Sequence, residues 1–134
     1  MVFVFDTNVW VSAALGSSSC REAFDLARSK GKLIRSEETF TELVLTLEKP
    51  RLQKYLSHQD KIDFIANYLL ITERVEVITE RLLVCRDPKD NMLLELAISC
   101  RADFIISGDR DLLSLSSFRG VPIVSPANYL RIIV

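Results

Sequence analysis

The chain holds one histidine and three cysteines in 134 residues, which is too little to build a zinc site or a disulfide framework. Cys20, Cys85 and Cys100 are odd in number, far apart and set among apolar neighbours, as reduced thiols of a cytoplasmic protein are. An excess of one charge is also missing. Lysine and arginine number 17 against 18 acidic residues, so no overall basic field announces a nucleic-acid binder, and any such contact must rest on local patches. No long apolar run occurs. The stretch from Met1 stops at Asp6, too short for a signal peptide or a membrane span, and reads as a buried first strand. Four glycines and four prolines leave no flexible linker, although Gly16 to Ser19 reads as a mobile loop. A GxxxxGK[ST] phosphate loop is absent, which sets nucleotide hydrolysis of that kind aside.

What is present is the balance of an ordinary globular domain, 49% apolar and 26% charged, and the whole chain, 1–134, reads as one such domain. Short β-branched and aromatic runs alternate with longer helical patterns. That alternation predicts an α/β fold, with a central parallel sheet of about five strands flanked by helices on both sides. The expected strands are Val2 to Phe5, Leu33 to Arg35, Val75 to Ile78, Phe104 to Ser107 and Pro122 to Val124. A helix over Arg21 to Lys30 carries Ala23, Phe24 and Ala27 on one face, with Gly31 placed as a left-handed cap. Phe40, Leu43, Val44 and Leu47 form a second helical stripe ending before Pro50, and Tyr55 to Leu70 holds a third helical region. Met92 to Cys100 is apolar on almost every side, as a helix packed between sheet and neighbours would be.

The chemistry-bearing residues are acids at strand exits. Asp6 closes the first strand in Phe5-Asp6-Thr7-Asn8, and Asp109 follows the fourth in Ser107-Gly108-Asp109-Arg110-Asp111. Ligands of open α/β sheets bind beyond the carboxyl ends of the strands, where these side chains fall, and Asp90 before the apolar helix can reach the same rim. Each acid also has a structural reading. Asp6 can cap a helix starting near Asn8, and Asp87 followed by Pro88 looks like an N-cap with proline at the first helical position. Asp109 and Asp111 can be turn formers beside Gly108. Glu42 lies opposite the Phe40, Leu43 and Leu47 stripe, where either a solvated residue or one facing a groove would lie. Carboxylates crowded at ~4 Å would repel by about 4 kcal/mol per pair at an effective dielectric near 20. Protonation, basic partners or a hard divalent cation would relieve such crowding, and an oxygen-rich site suits Mg²⁺ or Mn²⁺.

Local positives are the possible grip on a polyanion: Arg86 and Lys89 beside Asp90, Arg110 beside Asp109, and Lys49, Arg51 and Lys54 after the Glu42 helix. Solvated faces are the other use of such residues. His58 sits in a polar helical segment far from the acids and reads as a surface residue. Apolar helix faces in Tyr55 to Leu70 suit core packing, a homodimer or a groove for a partner protein.

Four motifs in order carry a family resemblance that runs almost end to end. They are Asp6-Thr7-Asn8 after an apolar strand, Glu42 within Ser36 to Leu43, Asp90 within Arg86 to Asn91 and seven residues before Ala97, and Ser107 to Leu113 containing Asp109. In these the chain resembles PIN-domain proteins, and among them the bacterial VapC-like toxin components of toxin–antitoxin pairs. The resemblance implies a metal-dependent endoribonuclease acting on single-stranded RNA, with Asp6, Glu42, Asp90 and Asp109 as catalytic metal ligands and Asp111 as a helper ligand. It also implies that Thr7 and Ser107 lend hydroxyls near the metal, that Asn8 steadies the loop of the first acid, and that the partners are RNA and an antitoxin, while a second copy rests on the apolar faces of Tyr55 to Leu70. A haloacid dehalogenase phosphatase would want an acid where Asn8 stands, and a receiver domain would want paired acids and a late lysine. The remaining rival is a PIN-fold module that binds RNA or protein without cutting.

Overall fold

Successive residues of a strand point to opposite faces, so a strand with helices on both sides must be apolar throughout. Val2–Phe5 (β1) meets that requirement. Phe3 and Phe5 enter one core cluster with Trp10, Phe24 and Tyr129, and Val4 enters the other with Leu94, Leu96 and Ile105. The computed structural model describes residues 1–76 and 78–133. In chain order β1 is followed by Thr7–Ala14 (α1), Ser18–Lys30 (α2), Lys32–Arg35 (β2), Glu37–Leu47 (α3), a 3₁₀ turn at Pro50–Leu52, His58–Ile71 (α4) and Thr72–Arg74 (β3). Then come Pro88–Ser99 (α5), Phe104–Ile106 (β4), Arg110–Leu115 (α6), Ser117–Phe118 (β5), Val121–Val124 (β6) and Pro126–Ile133 (α7).

These strands form a six-stranded sheet in the order β3-β2-β1-β4-β6-β5, parallel except for the β5/β6 pair. The α/β class and its flanking helices are as the alternation predicts. The extra strand, β5, is a hairpin edge. Arg119 and Gly120 both have positive φ, 48° and 84°, the conformation of a two-residue turn whose twist suits two antiparallel strands. No helix among the described residues is long and apolar enough to cross a membrane.

Three local expectations are corrected. The third strand is Thr72–Arg74, not Val75 to Ile78. Val75, Glu76 and Ile78 are outside any strand, and Val77 lies outside the described residues. Thr72 ends α4 by donating its hydroxyl to the Tyr68 carbonyl at 2.7 Å, and Arg35 of β2 donates to the Thr72 carbonyl at 2.7 Å. The pairing partner, not β-propensity, chose the segment. Gly16 to Ser19 is no loose loop, because Ser17 caps α2 and the helix begins at Ser18.

Gly31 caps α2 in an extended conformation, not a left-handed one. Its reason is space: the Met1 backbone passes so closely that a Cβ would strike the Met1 carbonyl oxygen, which accepts the Lys32 N–H at 2.9 Å. Gly31→Ala is therefore expected to cost about 1–3 kcal/mol, as overpacking does. Urea denaturation measures it, and an unchanged midpoint would show that the N-terminus moves aside freely.

Candidate active site

In a doubly wound sheet the chain leaves the central strands in opposite directions, and the crevice opens where the two directions part. Here that point lies between β1, whose next strand β2 is on one side, and β4 on the other. Asp6 leaves β1 and Asp109 leaves β4 at this crevice. The Asp6 N–H donates to the Ile106 carbonyl at 2.9 Å, which carries the β1/β4 ladder one step past the strand and brings Asp6 beside Ser107.

Ser107 is fully buried and ties the two acids together. Its hydroxyl donates to Asp6 Oδ2 at 2.8 Å and accepts the Asp109 N–H at 3.0 Å. Asp6 occupies the N-cap position of α1 yet makes no capping hydrogen bond. Burial pushes its carboxyl above the usual range, the Ser107 hydroxyl opposes that, and Asp109 adds to the rise. Asp109 does cap: its Oδ1 accepts the Asp111 N–H at 2.7 Å and the Leu112 N–H at 3.4 Å. Asp87 likewise caps α5 through the Lys89 N–H, with Pro88 in the first turn. The capping reading of Asp87 is thus correct, whereas Asp109, expected as a turn former, is the N-cap of α6.

Asp90 stands in the first turn of α5, only 5% exposed. Burial, followed by Asp109, Asp6, Asp87 and Asp111, pushes its carboxyl up to about 7. Asp90, Asp109 and Asp111 each place a carboxylate oxygen so that all three lie within 4.8 Å of one another. Glu42 joins from α3. The Thr7 hydroxyl donates to Glu42 Oε2 at 3.1 Å, and Lys89 Nζ lies 4.0 Å from Oε1. Burial raises the Glu42 carboxyl, Thr7 opposes, and Asp6 raises it further, so Asp6 stands electrostatically between Glu42 and the aspartate trio. Thr7 is buried, and Asn8 is exposed, lining a cleft with Gly108, Asp109 and Ser125.

Among the expected grip residues, Arg86 donates both hydrogen bonds of an ion pair to Asp111, at 3.0 and 3.1 Å, and Lys89 leans on Glu42. Lys49, Arg51 and Arg110 are exposed. Lys49 and Lys89 border a groove of about 370 Å³ between α3 and α5, floored by Leu45, Thr46 and Met92 and open to Glu42. Two buried polar residues were not foreseen. Asn91 and Glu95 interrupt the supposedly apolar α5, and the charge of Glu95 inside Leu93-Leu94-Glu95-Leu96 was the visible signal.

The donor set fits a hard divalent cation. The three acids that converge offer carboxylate oxygens, their spacing suits a small oxygen-coordinated ion, and the unfavourable crowding at Asp90 is what such an ion relieves.

A family profile described as PIN domain matches residues 2–111. The chain belongs to the PIN domain family. PIN domains are nucleases, and the acidic crevice sits where the fold offers a site. The uncharacterized protein MJ1680 of Methanocaldococcus jannaschii is 32% identical over 118 residues, covering 84% of this chain and 73% of that protein. In three dimensions this PIN domain resembles a chain from the crystal structure of VapBC2 from Rickettsia felis bound to a DNA fragment from their promoter. That match has a TM-score of 0.65 at 13% identity over 92% of this chain and 97% of the other, a likeness of fold.

Proposed function

We propose that this PIN domain is a Mg²⁺- or Mn²⁺-dependent endoribonuclease that hydrolyses phosphodiester bonds of single-stranded RNA, as the toxin of a toxin–antitoxin pair. The observation that carries the reading is the convergence of Asp90, Asp109 and Asp111 at the switch point beside Asp6. Those four acids would hold the cation, with Glu42 on the opposite wall. When bound, such a cation supplies Lewis-acid polarisation of the phosphate and acidification of water. The protein's own part is placement. Ser107 fixes which oxygen of Asp6 faces the crevice, and Thr7 does the same for Glu42. Lys89 and Lys49 beside Glu42 and Arg86 on Asp111 would, with exposed Arg51 and Arg110, pair with backbone phosphates on either side of the cut, so binding should weaken as salt rises.

The antitoxin reading is supported by the VapBC2 complex as a neighbour in fold and by a groove of about 630 Å³ between α1, α2 and α4. Trp10, Phe24 and Tyr68 line it, and Arg21, Arg28 and Asp63 stand at its rim. Exposed Leu69 and Leu70 on α4 offer an apolar face for the same partner or a second copy.

The purified chain should cleave an unstructured RNA when Mn²⁺ is added and stop when a chelator is added. Fragment analysis on a denaturing gel reads this out. Cleavage that persists in excess chelator would exclude the metal mechanism.

A further inference from the structure

The segment from Thr79 to Arg86 runs along α5 as a strap outside any helix or strand. Backbone N–H groups away from water need acceptors. This strap finds them on side chains of α5 spaced four residues apart. Ser99 Oγ accepts the Thr79 N–H at 3.0 Å, and Glu95 Oε2 accepts the Leu82 N–H at 2.8 Å. Asn91 Oδ1 accepts both the Val84 and Cys85 N–H groups, at 3.0 and 2.8 Å, while its amide donates to the Cys85 carbonyl at 3.3 Å. Glu95 also accepts from Arg81 at 2.9 Å.

Burying Asn91 and Glu95 in a helix that otherwise packs leucines is unfavourable unless every polar atom is engaged, and what engages them is the strap. The strap is not held by its own apolar contacts along its whole length. Leu82 is buried, but Leu83 is 99% exposed and Val84 half exposed. Immediately beyond the Asn91 rung comes Arg86, whose side chain is 87% exposed and touches Asp111, the outermost member of the aspartate trio. A long exposed side chain holds one geometry poorly by itself, and an exposed pair contributes little. The fixed backbone at Cys85 is what keeps the guanidinium within reach.

We propose that Asn91 is a positioning residue: it anchors the strap so that Arg86 serves as a tethered counter-ion on Asp111, competing with a divalent cation for that carboxylate. The inference rests on the preceding reading that the trio takes such a cation. Arg86 leaves Asp111 when the cation arrives and is then free to face a phosphate. Asn91 acts only through the strap, one helical position past Asp90.

Calorimetric titration with Mn²⁺ alone tests it, together with limited trypsin digestion, since Arg81 and Arg86 are themselves trypsin sites. Arg86→Gln should bind Mn²⁺ roughly three- to tenfold more tightly, the scale of one partly screened charge. Asn91→Ala should give a similar gain, should be cut rapidly after Arg81 and Arg86 while its circular dichroism stays native, and should add nothing to Arg86→Gln in the double variant. Should Asn91→Ala not fold, Val84→Pro removes a donor from the strap and leaves α5 untouched. An Arg86→Gln affinity equal to or weaker than wild type overturns the proposal, as do gains from Arg86→Gln and Asn91→Ala that multiply independently. Failure of the wild-type chain to bind Mn²⁺ overturns the functional reading and this one together, whereas normal binding that ignores both variants overturns this one alone.

Discussion

Asp6→Asn is expected to lower RNA cleavage by at least about a thousandfold, a loss of about 4 kcal/mol of transition-state stabilisation, while the chain remains folded. The carboxylate of Asp6 makes no capping hydrogen bond of good geometry, and asparagine keeps an oxygen for the Thr7 and Asn8 N–H groups that face it, so α1 should stay folded. What it does instead is stand at the switch point, hydrogen-bonded to Ser107 and acting electrically on Asp90 and Glu42. An asparagine fits the same space but supplies a neutral oxygen and turns a donor toward the crevice. Ser107→Ala keeps the charge and loses the hydrogen bonds that orient Asp6 and hold the Asp109 N–H, so its loss should be nearer ten- to a hundredfold, the scale of one or two net hydrogen bonds. Single-turnover cleavage at saturating Mn²⁺, with circular dichroism as the control for folding, separates the two. An Asp6→Asn protein working within tenfold of wild type would remove this crevice from the reaction.

Asp90→Asn is expected to stabilise the chelated protein at pH 8, even though it should also abolish cleavage. The Asp90 carboxyl is raised to about 7 in the fold, against 3.8 ordinarily. Between those values the folded chain keeps a proton that the unfolded chain has released, so folding stability falls as pH rises through the window and levels off above it. Solvent screening of the neighbouring carboxylates holds the effect to about 1–3 kcal/mol. Asp6 and Glu42 are raised as well and contribute in the same direction. Asparagine has the shape of the protonated acid and no charge to bury. Urea melts of chelated protein at pH 5 and pH 8 should show wild type losing stability between them and the variant losing much less. Mn²⁺ should restore wild type at pH 8 and do little for the variant. A variant less stable than wild type at pH 8 would mean that crowding at Asp90 is already relieved within the protein.

Much of this was readable before folding was considered. The apolar run Val2–Phe5 ending on Asp6, and Phe104–Ile106 ending on Ser107 and Asp109, announce two strands buried on both faces with acids at their exits. Asp87-Pro88 marks the start of α5. Local chemistry decides such features, because capping and strand burial depend on neighbours a few residues away. The third strand was not readable. Thr72, Glu73 and Arg74 are polar, while Val75 and Ile78 look more strand-like, yet pairing with β2 and the Arg35 clamp select the former. Gly31 was recognised as a cap for the wrong reason, since the atom that excludes a Cβ belongs to Met1.

The α/β class and the strand exits that carry Asp6 and Asp109 followed from the amino-acid order alone, since they arise from periodicity and strand ends that act over short stretches. Which acids share a crevice did not. Glu42 lies on the polar side of its helix and faces the site only because α3 packs on α1 and turns that side toward Thr7. Asn91 and Glu95 look like flaws in an apolar helix until the strap supplies their partners. Long-range contacts decide these placements, because the free energy that turns a carboxylate inward comes from groups 35 to 101 residues away in the chain.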